Sequence, residues 1–108
     1  MTLACIMAGE AGVMGATAQL AVAHVALNRH AGGLDLTLGA GFHGWGEPTT
    51  TTKRLAETAL TEADFTSGCL YALSKQDRYK LGFPAGDIVF VRGPWELHLY
   101  KTWYTWGF

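Results

Sequence analysis

The chain has 108 residues, 49% of them hydrophobic, which suits one domain with a real core. In a chain this short each core residue matters. Its formal net charge of −1, from eight basic and nine acidic side chains, argues against a nucleic-acid binder and gives no strong pull towards anionic lipid. Two cysteines, Cys5 and Cys69, are too few for a disulfide framework. They could form one bridge, but two reduced thiols acting as small core residues are the favoured reading. There is no CxxC, and the four histidines show no ligand-like pairing, so no zinc site is expected.

No apolar stretch approaches the roughly 20 residues that span a bilayer, so no membrane insertion is expected. The run from Leu20 to Leu27 is long enough only for a buried helix. The N-terminus lacks the charged start and cleavage site of a signal peptide. The start is read either as a domain boundary or as that of a protein made without a signal of its own. No repeat or interdomain linker divides residues 1–108.

Thr2 is expected to cap a short first helix through Leu3, Ile6 and Met7 that stops near Gly9 or Gly12, with Glu10 at its C-terminal end. The negative end of the helix dipole there favours a carboxyl that keeps its proton. Thr17 opens a second helix, Ala18 to about His30; only His24 is polar between Leu20 and Leu27, so most of its sides are buried. Asn28, Arg29 and His30 fall in its last turn, and Gly32 and Gly33 end it. Residues 32–48 hold six of the fourteen glycines and read as a loop carrying Phe42, His43 and Trp45. A third helix is expected over about Lys53 to Thr61, with Leu55, Ala59 and Leu60 inward. Asp64 or Thr66 caps a short element containing Cys69, Leu70, Tyr71 and Leu73, and residues 75–81 add a helical turn before Gly82 and Pro84. Asp87 to Val91 is rich in β-formers, Arg92-Gly93-Pro94-Trp95 is a turn, and Glu96 to Tyr100 alternates, with Leu97 and Leu99 on one face. The class is therefore α+β, mostly helical, with a C-terminal β-hairpin.

Gly9-Glu10-Ala11-Gly12, followed by Gln19-Leu20-Ala21-Val22-Ala23-His24-Val25-Ala26-Leu27-Asn28-Arg29, resembles the catalytic-domain signature of the spore-cortex-lytic cell-wall hydrolases. That family opens with Gly-Glu-Ala and follows it with a helix that closes on Asn-Arg. Asp64-Phe65-Thr66-Ser67-Gly68-Cys69-Leu70-Tyr71 is similar to its Asp-x-Thr-x-Gly-Ala-x-Tyr segment. Two ordered motifs are more specific than either alone. One departure matters: the family often continues with Arg-Gly-Glu, where this chain has Gly12, Val13 and Met14, so substrate contacts made by that Arg and second Glu do not carry over.

The resemblance implies a small lysozyme-like domain acting without metal or cofactor, and the charge balance gives no nucleic-acid partner. It implies cleavage of peptidoglycan between N-acetylmuramic acid and N-acetylglucosamine, with Glu10 as the single catalytic glutamate and a lytic transglycosylase as the specific form. Breaking a glycosidic bond needs a protonated carboxyl beside the leaving oxygen, and Ile6, Met7, Val13 and Met14 give Glu10 apolar neighbours in sequence. A second acid is not evident: Glu47 and Asp64 are candidates, whereas Glu57 and Glu62 read as solvated helix charges.

Groove-lining roles fall to Trp45 and His43 in the glycine-rich loop, to Tyr71 and to Ser74. Each has a plainer reading: loop aromatics anchoring their own loop, and a buried tyrosine with a satisfied hydroxyl. His24 reads as a packed core histidine, Asn28 and Arg29 as a tether for the next loop, and Asp64 and Thr66 as a turn cap. Most rings of the aromatic tail, Trp95 to Phe108, are expected to close the core. The expected protein is a monomer acting on the cell wall outside the cytoplasm, delivered as a phage lysis enzyme or as a domain of a longer secreted protein. The alternative is a non-catalytic glycan-binding or phage assembly module of the same fold.

Overall fold

Helix α1, Thr2–Ala11, is made almost wholly of small and apolar residues, and it packs on two sides. A computed structural model of the chain describes residues 2–33 and 46–103. Ala4 and Met7 join a cluster with Ala23, Ala56 and Ala59, whereas Ile6 and Ala11 join a second cluster with Ala18, Val22, Val25, Leu97 and Leu99. A helix buried on two sides has no need of a polar stripe.

Helix α2, Ala16–Ala31, starts before the expected Ala18, and its N-cap is Gly15, which makes no side-chain cap; Thr17 lies inside the helix. Gly15 has φ +92, a conformation open to glycine, and this lets the chain reverse after α1. Residues 21–26 of α2 are all buried, as the apolar run requires, and Gly32 and Gly33 close the helix through bonds to the carbonyls of Asn28 and His30.

Helix α3, Thr50–Thr61, also starts earlier than expected, because Thr49 caps it by accepting the amide of Thr52 at 3.1 Å. That start sets the inward face as Thr52, Ala56 and Ala59, spaced about one turn apart. Leu55 is half-buried and Leu60, expected inward, is 59% exposed. The Thr52 hydroxyl donates to Gln19 Oε1 on α2 at 3.2 Å.

Strand β1, Tyr71–Ser74, runs directly into helix α4, Lys75–Leu81; strands β2, Ile88–Arg92, and β3, Trp95–Tyr100, form the expected hairpin. The sheet order is β1-β3-β2, antiparallel throughout, with Tyr71 opposite Tyr100 and Arg92 opposite Trp95. One face, with Ala72, Leu97 and Leu99 and the half-buried Ile88 and Phe90, packs on α1 and α2. The other face carries Leu73 and Tyr100 and is covered by Phe83. His98 and Tyr100 are therefore buried, although the alternation alone puts them on the polar side. The Tyr100 hydroxyl donates to the Pro84 carbonyl at 2.7 Å, pinning the link after α4 onto the sheet. Tyr100→Phe is expected to lower unfolding stability by about 1 kcal/mol, read from the urea midpoint at constant m.

The fold is thus α+β, mostly helical, with strands gathered in the C-terminal part. Cys5 and Cys69 are both free thiols. No helix among the described residues is long and apolar enough to cross a membrane.

Candidate active site

Glu10 is half-buried in the last turn of α1, where the glycines on either side of it have separate jobs. A Cβ on Gly12 would stand 2.4 Å from the Ala8 carbonyl oxygen, so only glycine turns the chain so sharply after Glu10. The next residue of the motif, Ala11, is fully buried and anchors the helix end in the core. On the opposite flank Gly46 lies directly on the helix: its amide donates to the Cys5 carbonyl at 3.0 Å, and a Cβ there would stand 2.8 Å from the Gly9 nitrogen. The chain leaving the glycine-rich loop is therefore fixed against the turn that carries Glu10.

The hairpin tip reaches the same end of α1. Arg92 lies against Gly15 in the turn after α1, so close that a Cβ on Gly15 would stand 2.9 Å from its Nη1. Glu10 thus belongs to a helix end bordered by the Gly46 segment, the α1–α2 turn and the tip of β2–β3. Val13 in that turn is exposed and Met14 half-buried.

The other expected groove residues distribute differently. His43 and Trp45 lie outside the described residues. Tyr71 is half-buried, with its ring 5.2 Å from that of Trp103 and the Arg29 guanidinium 5.3 Å above it. Ser74 is exposed and caps α4, its Oγ accepting the Asp77 amide at 3.2 Å. It lines a pocket of about 320 Å³ together with Tyr79 and Trp95, but Glu10 is not in that pocket.

The far end of α2 is a built polar junction. His24 is buried and donates from Nε2 to Glu62 Oε1 at 2.9 Å, while Phe65 meets its ring edge-on at 5.4 Å. Glu62, expected to be a solvated helix charge, is instead the C-cap residue of α3 and the partner of this histidine. Asn28 donates to Asp64 Oδ2 and to the Cys69 carbonyl, and the buried Arg29 donates to the Leu70 carbonyl at 3.1 Å. The Asn-Arg pair thus ties α2 to the segment leading into β1.

Asp64 accepts from the Thr66 hydroxyl, from Asn28, and from the backbone amides of Thr66 and Gly68. Burial alone would push its carboxyl up, but these hydrogen bonds outweigh it and bring the pKa down to about 2. The carboxylate is thus held ionised by its structural hydrogen bonds. Because its folded pKa lies below the ordinary 3.8, the stability it supplies is complete above that value and fades as pH falls towards about 2. Asp64→Asn is expected to flatten this acid limb in urea midpoints measured from pH 6 downwards, and to lower the midpoint at pH 6.

Sequence reasoning missed one further polar network. His98 Nδ1 accepts the Gly86 amide at 3.1 Å, so Nε2 carries the proton and donates to Glu96 Oε1 at 3.0 Å. Lys75 Nζ stands 3.5 Å from Glu96 Oε2. The His98 hydrogen bond, assisted by Lys75, holds the Glu96 carboxyl below the usual carboxylate range. The signal in the sequence was Glu96-x-His98 on alternate residues of one strand, which places both on one face. Comparison with family models, with curated proteins and with solved structures finds no match.

Proposed function

We propose that this domain cleaves the glycan strand of peptidoglycan between N-acetylmuramic acid and N-acetylglucosamine, as a lytic transglycosylase with Glu10 as its acid and base. The observation that carries this reading is the position of Glu10: half-buried at a helix end, between two close backbone approaches that hold the helix terminus and its neighbouring segment in place. Such a setting suits a carboxyl that must meet a leaving oxygen in a fixed direction. The sequence resemblance to the spore-cortex-lytic cell-wall hydrolases supplies the substrate class.

In this mechanism Glu10 gives its proton to the bridging oxygen as the bond from that oxygen to C1 of the muramic acid breaks. The 6-hydroxyl of the same sugar bonds to C1 and returns its proton to Glu10. The product is a 1,6-anhydro sugar, no water is consumed, and the carboxyl ends protonated as it began. The scheme needs no second acid. Asp64, Glu62 and Glu96 are each committed to structural partners. Glu47, exposed next to Gly46, is the acid on the segment that borders α1, and it is the candidate base if the reaction is instead a hydrolysis. In this reading the domain works on the wall, outside the cytoplasm.

The test is to digest purified peptidoglycan with the wild type and with Glu10→Gln and to identify the released muropeptides by mass spectrometry. Anhydro-muramic products from the wild type alone support the proposal. Reducing-end products would replace transglycosylation by hydrolysis. No products from either protein, with wall binding retained, would leave a binding module.

A further inference from the structure

We infer that the pocket between α4 and the hairpin tip is a separate saccharide site that holds one N-acetylated hexose of a glycan chain, away from the point of cleavage. The choice of an N-acetylated sugar rests on the proposed peptidoglycan substrate; the saccharide class is argued from the exposed rings and mixed polar lining of the pocket. Its volume of about 320 Å³ suits a single sugar ring. Two large rings line it, Trp95 at 55% exposure and Tyr79 at 64%. Leaving such rings in water is unfavourable unless something covers them, and the C–H faces of a pyranose pack well on aromatic surfaces.

The polar lining fits the same ligand. Ser74, Lys75, Gln76 and Glu96 provide donors and acceptors at close quarters, with one cation set against one anion. This balance disfavours a strongly charged ligand and suits hydroxyls and an acetamido group, which need both donors and acceptors. These groups are held before any ligand arrives. Ser74 is fixed by capping α4, Glu96 by His98 and Lys75, and the Tyr79 ring by the Arg78 guanidinium 5.0 Å from its centroid. A site whose side chains are already ordered loses less entropy on binding.

Position defines the role. Glu10 is not among the residues that line the pocket, and Arg92, the cross-strand partner of Trp95, lies against Gly15 in the α1–α2 turn. A sugar in the pocket is bound equally before and during bond cleavage, which lowers KM and leaves kcat unchanged.

The probe is chitotetraose, followed by isothermal titration and by amide shifts. The wild type and Glu10→Gln are expected to bind it alike, with shifts at residues 74–79, 95 and 96. Trp95→Ala is expected to weaken binding roughly tenfold, the loss of an aromatic ring on which the sugar stacks, and Tyr79→Ala to weaken it as well. Both side chains are exposed, so circular dichroism should show the fold intact. Unshifted amides at these residues, or unchanged affinity in both variants, would overturn the inference. The outcome is separable from that for Glu10: binding at Trp95 without muropeptide release keeps the pocket and removes the enzyme, whereas release with no effect of Trp95→Ala does the reverse.

Discussion

Glu10→Gln is expected to lower muropeptide release by about two to four orders of magnitude, the usual contribution of a positioned general acid or base. The urea midpoint should stay close to that of the wild type. The substitution preserves the shape of the side chain and its capacity to hydrogen-bond, and Glu10 sits at a half-buried helix end and not within either apolar cluster. It removes the carboxyl's charge and its ability to give and take a proton. Glu10→Asp should also be severely impaired, since shortening the side chain withdraws the carboxyl from the scissile oxygen while keeping its charge. Loss of activity in Glu10→Gln together with a collapsed midpoint would instead assign Glu10 a role in holding α1 in place.

Gly46→Ala is the second variant with a large expected effect, about 1–3 kcal/mol of stability, the range for forcing an extra methyl into a closed contact. The new Cβ would meet the Gly9 nitrogen at 2.8 Å and the Ala8 carbonyl carbon at 2.9 Å, and both are backbone atoms of a helix that cannot rotate aside. Relief requires the segment to lift, and lifting breaks the bond from the Gly46 amide to the Cys5 carbonyl. Since this segment borders the turn of Glu10, muropeptide release should fall further than stability alone explains at a temperature where the variant is fully folded. Chemical denaturation and the digestion assay, run on the same preparation, separate the two effects. An unchanged midpoint would mean that the segment does not pack on α1 as described.

Much of this architecture was legible in the sequence where a single local signal dominated. The apolar run of α2, the glycines after it, the β-rich stretch before Gly93-Pro94 and the stop at Gly82 each had one clear reading, and each element appears. Strand β1 did not announce itself, because four residues that pass straight into a helix show too little alternation, and their partner β3 lies far along the chain. Leu60 was read as inward from its hydrophobicity, but the register of α3 is fixed at its start by the Thr49 cap and by the small faces of Ala56 and Ala59. Glu62 shows the same limit: its partner His24 is 38 residues away, and only the packing of α3 on α2 brings them together.

For the candidate site, the motif around Glu10 located the helix end, and the close approaches of Gly12 and Gly46 explain why glycine stands there. Of the other expected groove residues, Tyr71 packs with Trp103 and Arg29, and Ser74 lines the pocket of Trp95, which Glu10 does not line. Trp95 is one of the aromatic-tail rings left exposed, where most of the tail was expected to close the core. It closes the turn Arg92-Gly93-Pro94-Trp95 read from the sequence, and a residue at a hairpin tip has little core to enter.

The strand order has a consequence for how the molecule is made. The central strand β3 is the last of the three in sequence, so β1 and β2 have no partner within the sheet until Trp95–Tyr100 has been synthesised. Helices α1, α2 and α3 come earlier and can pack on one another as they emerge. A nascent chain paused before Trp95 therefore carries a helical nucleus and two apolar strands, with Leu73 and Phe90 uncovered and their backbone edges open. Arrival of β3 pairs the facing edge of each strand and completes the central core, so the sheet forms late and the interval before it is the one most exposed to aggregation.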